Sequence, residues 1–189
     1  MRVTGGAARG RPLRVPPGAR PMTARMREAL FVILGGVLGK VPGELYGGVN
    51  GRSFLDLFAG SGLLSAEAAS RGAQPIIAVE RDARKRRTIQ ANLAVVGARA
   101  TVITAPAERF IAMAGRRDQR FDVVCVDPPY AYRHKQGLLV ALAQADLVEA
   151  AGCLALHCPA ADPIDPAVLP LTLVDRRRYG QSALLLFRP

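Results

Sequence analysis

The chain has 189 residues, 50% of them hydrophobic, with 26 basic and 15 acidic side chains and a formal net charge of +11. That length predicts one domain, or one domain with a small appendage, and enough apolar material for a true core. So strong a positive charge favours an anionic partner, nucleic acid first. No uncharged apolar stretch is long enough to span a membrane and no N-terminal run has the form of a signal peptide, so the expected location is cytoplasmic.

Residues 1–27 hold seven arginines and no acid, among glycines and prolines. Leu13 and Val15 allow a small hairpin there, or the segment is ordered only by its partner. Residues 1–22 are therefore expected to be a basic extension over the entrance to an active site, and 23–189 the main domain. Thr23 is placed to cap a helix running to about Leu38, because Met26, Leu30, Ile33, Leu34 and Val37 recur at spacings of three and four. The glycine-rich stretch 39–51 reads as a loop.

A regular alternation follows. Strands are expected at 52–57, 75–80, 101–104, 121–126, 153–157, 171–177 and 182–188, and helices at 61–71, 82–96, 106–115 and 135–150. The strands are continuously apolar, as buried parallel strands are. The pattern predicts an α/β sandwich on a mostly parallel seven-stranded sheet, with a C-terminal antiparallel hairpin turning at Tyr179-Gly180. Cys125 falls within an apolar strand and is expected to be a core thiol. Three cysteines and two histidines without zinc spacing predict no metal.

The first strand ends in Asp56-Leu57-Phe58-Ala59-Gly60-Ser61-Gly62, and the second ends in Glu80. Glycines at 60 and 62 permit a tight turn and close approach of a ligand. An acid at the end of the second strand accepts hydrogen bonds from ribose hydroxyls in doubly wound folds. The pair points to a nucleoside-bearing cofactor. The glycine spacing is not the dinucleotide fingerprint, and Asp56 suits a cationic group, so S-adenosylmethionine fits better than a nicotinamide.

The fourth strand ends in Asp127-Pro128-Pro129-Tyr130. Two prolines stiffen this loop and aim its carbonyls and the Asp side chain. An exocyclic amine on a nucleic-acid base is a poor nucleophile, because its lone pair is delocalised into the ring. Asp127 and the Pro128 carbonyl can each accept one of its N–H groups, turning the lone pair toward a methyl donor. Tyr130 can stack on a base that has left its own stack. Arg2, Arg9, Arg11, Arg20, Arg25 and Arg27, with Thr23, Tyr132, Arg133 and Arg178, are the expected contacts to RNA. His134 and Lys135 flank the same loop and are candidates for phosphate contact. Arg116, Arg117 and Arg120 read as a solvated surface.

Taken together, the chain resembles the RsmD-type methyltransferases, which modify the exocyclic N2 of a guanine in bacterial small-subunit ribosomal RNA. The resemblance covers about residues 2–188. It rests on Arg2-Val3-Thr4-Gly5-Gly6, Arg9-Gly10-Arg11, Arg20-Pro21-Met22-Thr23, the loop 55–62, Val79-Glu80, Asp127-Pro128-Pro129-Tyr130 and Arg178-Tyr179-Gly180. It implies a Rossmann-like class I methyltransferase fold, with S-adenosylmethionine held by Asp56, Phe58, Ala59, Gly60, Gly62, Glu80 and Arg81. It also implies catalysis at Asp127, Pro128 and Tyr130, in a monomer acting on the assembled small subunit. Three positions depart from the family. Ala24 stands where Asp is common, and Leu156-His157-Cys158 where a Glu is frequent. The third, Thr104-Ala105-Pro106-Ala107-Glu108, leaves Glu108 or a backbone group to meet the adenine. The competing functions are methylation of adenine N6 in DNA, which a chain without an inserted recognition domain fits poorly, and a non-catalytic RNA-binding assembly protein, which intact Asp127 and glycine loop disfavour.

Overall fold

Strands that are apolar on both sides need helices on both faces, and the chain is arranged to supply them. The computed structural model describes residues 1–16, 21–39 and 48–189. In chain order these form α1 (Ala24–Leu38), β1 (Phe54–Asp56), α2 (Leu63–Ser70), β2 (Ile76–Glu80), α3 (Arg86–Val95) and β3 (Thr101–Thr104). Then come α4 (Ala107–Gly115), β4 (Phe121–Val126), α5 (Lys135–Gln144), β5 (Val148–Pro159), β6 (Thr172–Tyr179) and β7 (Ser182–Arg188). The strand order is β3-β2-β1-β4-β5-β7-β6. All pairings from β3 to β5 are parallel, and β7 lies antiparallel between β5 and β6.

On one face, Phe54, Ile76, Val123, Cys125, Ala155 and Leu184 meet α1 and α2, with α3 covering Ala78 and Val102. On the other, Leu55, Val79, Val124, Val126, Leu154 and Leu156 meet Phe110 and Ile111 of α4 and Leu138, Leu139 and Leu142 of α5. With no Trp, the largest apolar anchors are Phe54, Phe110, Phe121 and Phe187, all fully buried; each contributes about 1.5–3 kcal/mol. All three cysteines are buried free thiols, and burial pushes Cys153 up to about 12. Among the described residues no helix is long and apolar enough to cross a membrane.

Most element boundaries fall within two residues of expectation. The larger differences are α3, which starts at Arg86 instead of 82, β5, which starts at Val148 instead of 153, and α5, which stops at Gln144 instead of reaching 150. Asp146 takes φ 51, a left-handed turn that ends the helix, and β5 starts at Val148. Glu149, Ala150 and Ala151 are good helix formers, but the strand has already begun at Val148, paired with Phe121, and they fall in the register shift before Cys153 pairs with Val123. The expected loop at 39–51 lies mostly outside the described residues.

The N-terminal segment has its own order. Val3 N–H donates to the Arg11 carbonyl, and Leu13 N–H to that of Met1, in a short antiparallel pairing. Val3 and Leu13 pack on Leu63 and Ala66. Ala7 N–H donates to the Ser70 carbonyl at 2.7 Å. A Cβ on Gly6, at φ +81, would come within 1.9 Å of that same carbonyl oxygen, so only glycine fits. The described part of the extension thus lies along α2 and α3, strapped down by the protein itself and not awaiting a partner.

Beneath it is a buried charge cluster. Thr4 N–H and hydroxyl donate to the Glu67 carboxylate at 3.0 and 2.9 Å. Arg27 Nε donates to Glu67 at 2.9 Å, and both side chains are fully buried. Arg71 also pairs with Glu67 and stacks its guanidinium 4.2 Å from the Phe31 ring centroid. Arg27 spends its remaining donors on the carbonyls of Met22 and Arg2. Removing the only acid would leave two buried guanidinium groups without a counter-charge. Glu67→Ala is therefore expected to lower stability by about 3–5 kcal/mol, read as a fall in the urea unfolding midpoint. A loss below about 1 kcal/mol would mean the arginines find other partners or water.

Candidate active site

Strand order reverses between β1 and β4, so the chain leaves neighbouring strands in opposite directions and opens a crevice at their C-terminal ends. Asp56 ends β1, Glu80 ends β2 and Asp127 follows β4, so all three acids converge on this edge.

The glycine loop is folded by its own backbone. Ala59 N–H donates to the Val79 carbonyl at 2.9 Å, and Gly62 N–H to that of Ala59 at 2.6 Å. Gly62 has φ +76, and a Cβ there would press Ile89 at 3.0 Å. Gly60 N–H donates to Glu80 Oε2 at 2.8 Å, and Asp82 N–H to Oε1 at 3.0 Å. The loop and the acid are thereby locked in register; the Lys85 ammonium also reaches Oε1 at 3.4 Å, so Oε2 is the oxygen with a lone pair for a further donor.

Asp56 is 1% exposed. Its Oδ2 accepts from Ser65 N–H and hydroxyl at 3.1 and 2.7 Å. Its Oδ1 is buried and has no partner among the described residues. Burial lifts the carboxyl to about 7, against the lowering by the Ser65 hydroxyl, with smaller upward pushes from Asp127 and Glu80. A buried carboxylate oxygen without a donor is costly, and a cationic group at Oδ1 relieves that cost. The residues present therefore suit the ammonium end of an amino-acid-bearing nucleoside.

Three residues expected in separate roles are brought together. The rings of Phe58 and Tyr132 meet edge to face at 5.4 Å, and Tyr132 hydroxyl donates to Glu108 at 2.6 Å. Burial first and then Glu108 push the Tyr132 hydroxyl upward, keeping it a donor. Tyr132 and Glu108 so form one wall beside the glycine loop. Arg81 is exposed.

The Asp-Pro-Pro-Tyr loop is held from several sides. Tyr132 N–H donates to the Pro129 carbonyl at 2.8 Å. Lys135 is 3% exposed; its ammonium donates to the Tyr130 carbonyl at 3.3 Å and to that of Tyr132, and pairs with Asp162 at 2.8 Å. The expected phosphate contact at Lys135 is thus replaced by a buried clamp on the loop. Asp127 Oδ1 is 2.6 Å from His157 Nδ1. Tyr130 is 51% exposed and its hydroxyl is bonded to Ser182, which leaves the ring face open beside the acid.

The arginines divide. Arg2, Arg9, Arg11, Arg25, Arg133 and Arg178 are exposed, although Arg2, Arg11 and Arg178 each give one N–H to a backbone carbonyl. Arg27 is corrected: fully buried on Glu67, it has no surface to offer a phosphate. Thr23, expected both as cap and as RNA contact, caps α1 by accepting from Met26 N–H at 3.3 Å. Arg20 lies outside the described residues. The contacts of the described part of the segment lie beside the glycine loop. They run along α2 and α3, and its approach to the glycine loop is through Asn92. The Asn92 amide accepts from Arg14 N–H at 2.8 Å and donates to the carbonyls of Arg14 and Ser61 at 2.8 and 2.7 Å.

Sequence reasoning missed Ser65, Asn92, His157 and Ser182. For His157 the link is strand register: Val126 pairs with Leu156, so His157, still within β5, lies beside Asp127 just past the end of β4.

The family described as conserved hypothetical protein 95 matches residues 1–188. YlbH of Bacillus subtilis (strain 168), a candidate rRNA methyltransferase, is 30% identical over 192 residues, covering 100% of this chain and 98% of that protein. Ribosomal RNA small subunit methyltransferase D of Escherichia coli (strain K12) is 38% identical over 142 residues, covering 74% of this chain and 63% of that protein. The solved structure of yhhF from Escherichia coli, a candidate methyltransferase, is 30% identical and superposes with a TM-score of 0.81, covering 99% of this chain and 96% of that chain.

Proposed function

The chain belongs to the family described as conserved hypothetical protein 95, and from that premise we propose that it transfers a methyl group from S-adenosylmethionine to the N2 amine of a guanine in bacterial small-subunit ribosomal RNA. The observation that carries this reading is a meeting of two features at one strand-order reversal. A buried acid with an unpartnered oxygen, Asp56, lies behind a stiff Asp-Pro-Pro-Tyr loop that presents an acid and an open aromatic ring. The reaction class follows from fold and family, and the name of the Escherichia coli relative supports the RNA.

When bound, S-adenosylmethionine supplies a methyl group on a sulfonium. Asp56 Oδ1 would take its ammonium end, Glu80 the ribose hydroxyls, and the loop 58–62 its flank, with Glu108 and Tyr132 beside the adenine. Asp127 and the Pro128 carbonyl each accept one N–H of the guanine amine. That frees the nitrogen lone pair from the ring and stabilises the positive charge that develops on nitrogen. Asp127 receives the departing proton. Tyr130, anchored at its hydroxyl, stacks on the flipped base. Arg9, Arg25, Arg133 and Arg178 hold RNA phosphates, which orient the substrate without reading it. The expected setting is the cytoplasm, on the assembled small subunit, with the protein as a monomer.

Three outcomes check this. Labelled cofactor is offered with small subunits, free small-subunit RNA or duplex DNA from a strain lacking the activity. N2-methylguanosine from the subunits is expected, and Asp127→Ala should lower kcat at least about a hundredfold with cofactor affinity unchanged. N6-methyladenine from DNA would overturn the substrate, and a parallel loss of cofactor affinity would overturn the role of Asp127.

Asp56 sets a pH dependence. Its folded carboxyl titrates at about 7, so below that pH the unliganded protein carries it protonated. A cation at Oδ1 requires the ionised form. Cofactor affinity should therefore rise with pH, nearly tenfold per unit between about pH 5 and pH 6.5, levelling off above about 7, with a proton released on binding. Calorimetry in two buffers of different ionisation enthalpy reads that proton; flat affinity with none released removes Asp56 from the cationic end.

Replacing the exposed pair Arg9 and Arg25 by Gln should weaken RNA binding and flatten its logarithmic salt dependence by about 1.5–2. An unaltered slope would place the phosphates elsewhere.

A further inference from the structure

We propose that His157 is the positioning residue for Asp127. It occupies one carboxylate oxygen and thereby assigns the other to the substrate amine. The proposal rests on the amine-methylating reading of the Asp127 loop and specifies how that loop is kept in working geometry.

The geometry starts in the sheet. The parallel register of β4 with β5 pairs Val126 with Leu156 and so sets His157, held in β5 against Leu184 of β7, beside Asp127 just past the end of β4. His157 Nδ1 is 2.6 Å from Asp127 Oδ1, and the imidazole is 5% exposed. Its Nε2 is buried and has no partner among the described residues. A hydrogen there would be a buried donor without an acceptor, which is expensive, whereas a bare lone pair is cheaper. The hydrogen therefore belongs on Nδ1, donated to Asp127. The ring cannot easily turn away. Tyr130 covers it at 5.7 Å between centroids and 60° between planes, and the Tyr130 hydroxyl is tied to Ser182 at the start of β7.

Among the described residues, Asp127 bonds through Oδ1 alone. That leaves Oδ2 as the acceptor for one N–H of the guanine amine, with the Pro128 carbonyl for the other. As the N–CH3 bond forms, the S–CH3 bond breaks with its electron pair going to sulfur, and one N–H proton passes to Asp127 Oδ2 and then to water. His157 keeps its own hydrogen throughout. Its contribution is to stop the carboxylate from rotating, since sub-ångström placement of the acceptors sets the direction of the lone pair.

Two measurements on the full chain test this. The protein has two histidines, so nitrogen-15 imidazole spectra are assignable with His134→Gln as the reference. The Nδ1–H tautomer is expected for His157, and its bonded proton signal should disappear in Asp127→Ala. An Nε2–H tautomer in the unaltered protein would overturn the proposal. The second measurement is steady-state methyl transfer to unmodified small subunits. His157→Ala should lower kcat about 10- to 100-fold with KM within about threefold. His157→Asn, which places an N–H near the Nδ1 position, should recover most of the rate. A folded His157→Ala variant with unchanged kcat, or His157→Asn as slow as His157→Ala, would overturn it. If His157→Ala does not fold, the tautomer and the His157→Asn rate decide. If the unaltered protein methylates no subunit while the bonded Nδ1–H signal is present, the substrate reading fails and the pairing stands.

Discussion

Parallel pairing of β1 with both β2 and β4 is the constraint on which the molecule depends. Because β1 has neighbours reached by connections running in opposite directions, its C-terminal end opens on a crevice that no connection crosses. Asp56, Glu80 and Asp127 come from strands separated by long stretches of chain, yet hydrogen bonding between the strands brings them to one edge. Three acids so close would repel in the absence of donors. The structure answers with Ser65 on Asp56, Gly60 and Asp82 backbone N–H groups on Glu80, and His157 on Asp127. The oxygens left over face chemistry that a cationic cofactor and an amine can satisfy.

The positive charge of the chain does two kinds of work. Exposed arginines give the surface its attraction for an anionic partner. Arg27 and Arg71 instead serve the interior, where Glu67 binds them and the N-terminal backbone at once. Lys135 is a similar case, its ammonium closing the turn that carries Tyr130. Net charge alone overstates the basic surface by these residues.

Much of this was legible in the residues. The continuous apolar runs identified the strands, Thr23 announced its helix, and Asp127-Pro128-Pro129-Tyr130 marked where a strand ends in a rigid acid-bearing loop. What was hidden depended on distance along the chain. Arg27 and Arg25 look alike in sequence, and only the packing of α1 against α2 buries one of them. Glu149, Ala150 and Ala151 have helical preferences that lose to a register shift in β5, between the pairing of Val148 with Phe121 and that of Cys153 with Val123. His157 drew attention as a departure from the family, but its partnership with Asp127 follows from a register that no local pattern encodes.

Asn92 carries a different implication. Its amide group uses both hydrogens and its oxygen at once, holding Arg14 on one side and Ser61 of the glycine loop on the other. No other side chain has that shape with that order of donors and acceptor; an aspartate would set an oxygen against two carbonyls. Position 92 is therefore under a chemical and not merely a spatial constraint. Removing the arginine-bearing segment would leave the Asn92 oxygen and one of its hydrogens without their partners on Arg14, at the side chain that also holds the Ser61 carbonyl of the glycine loop.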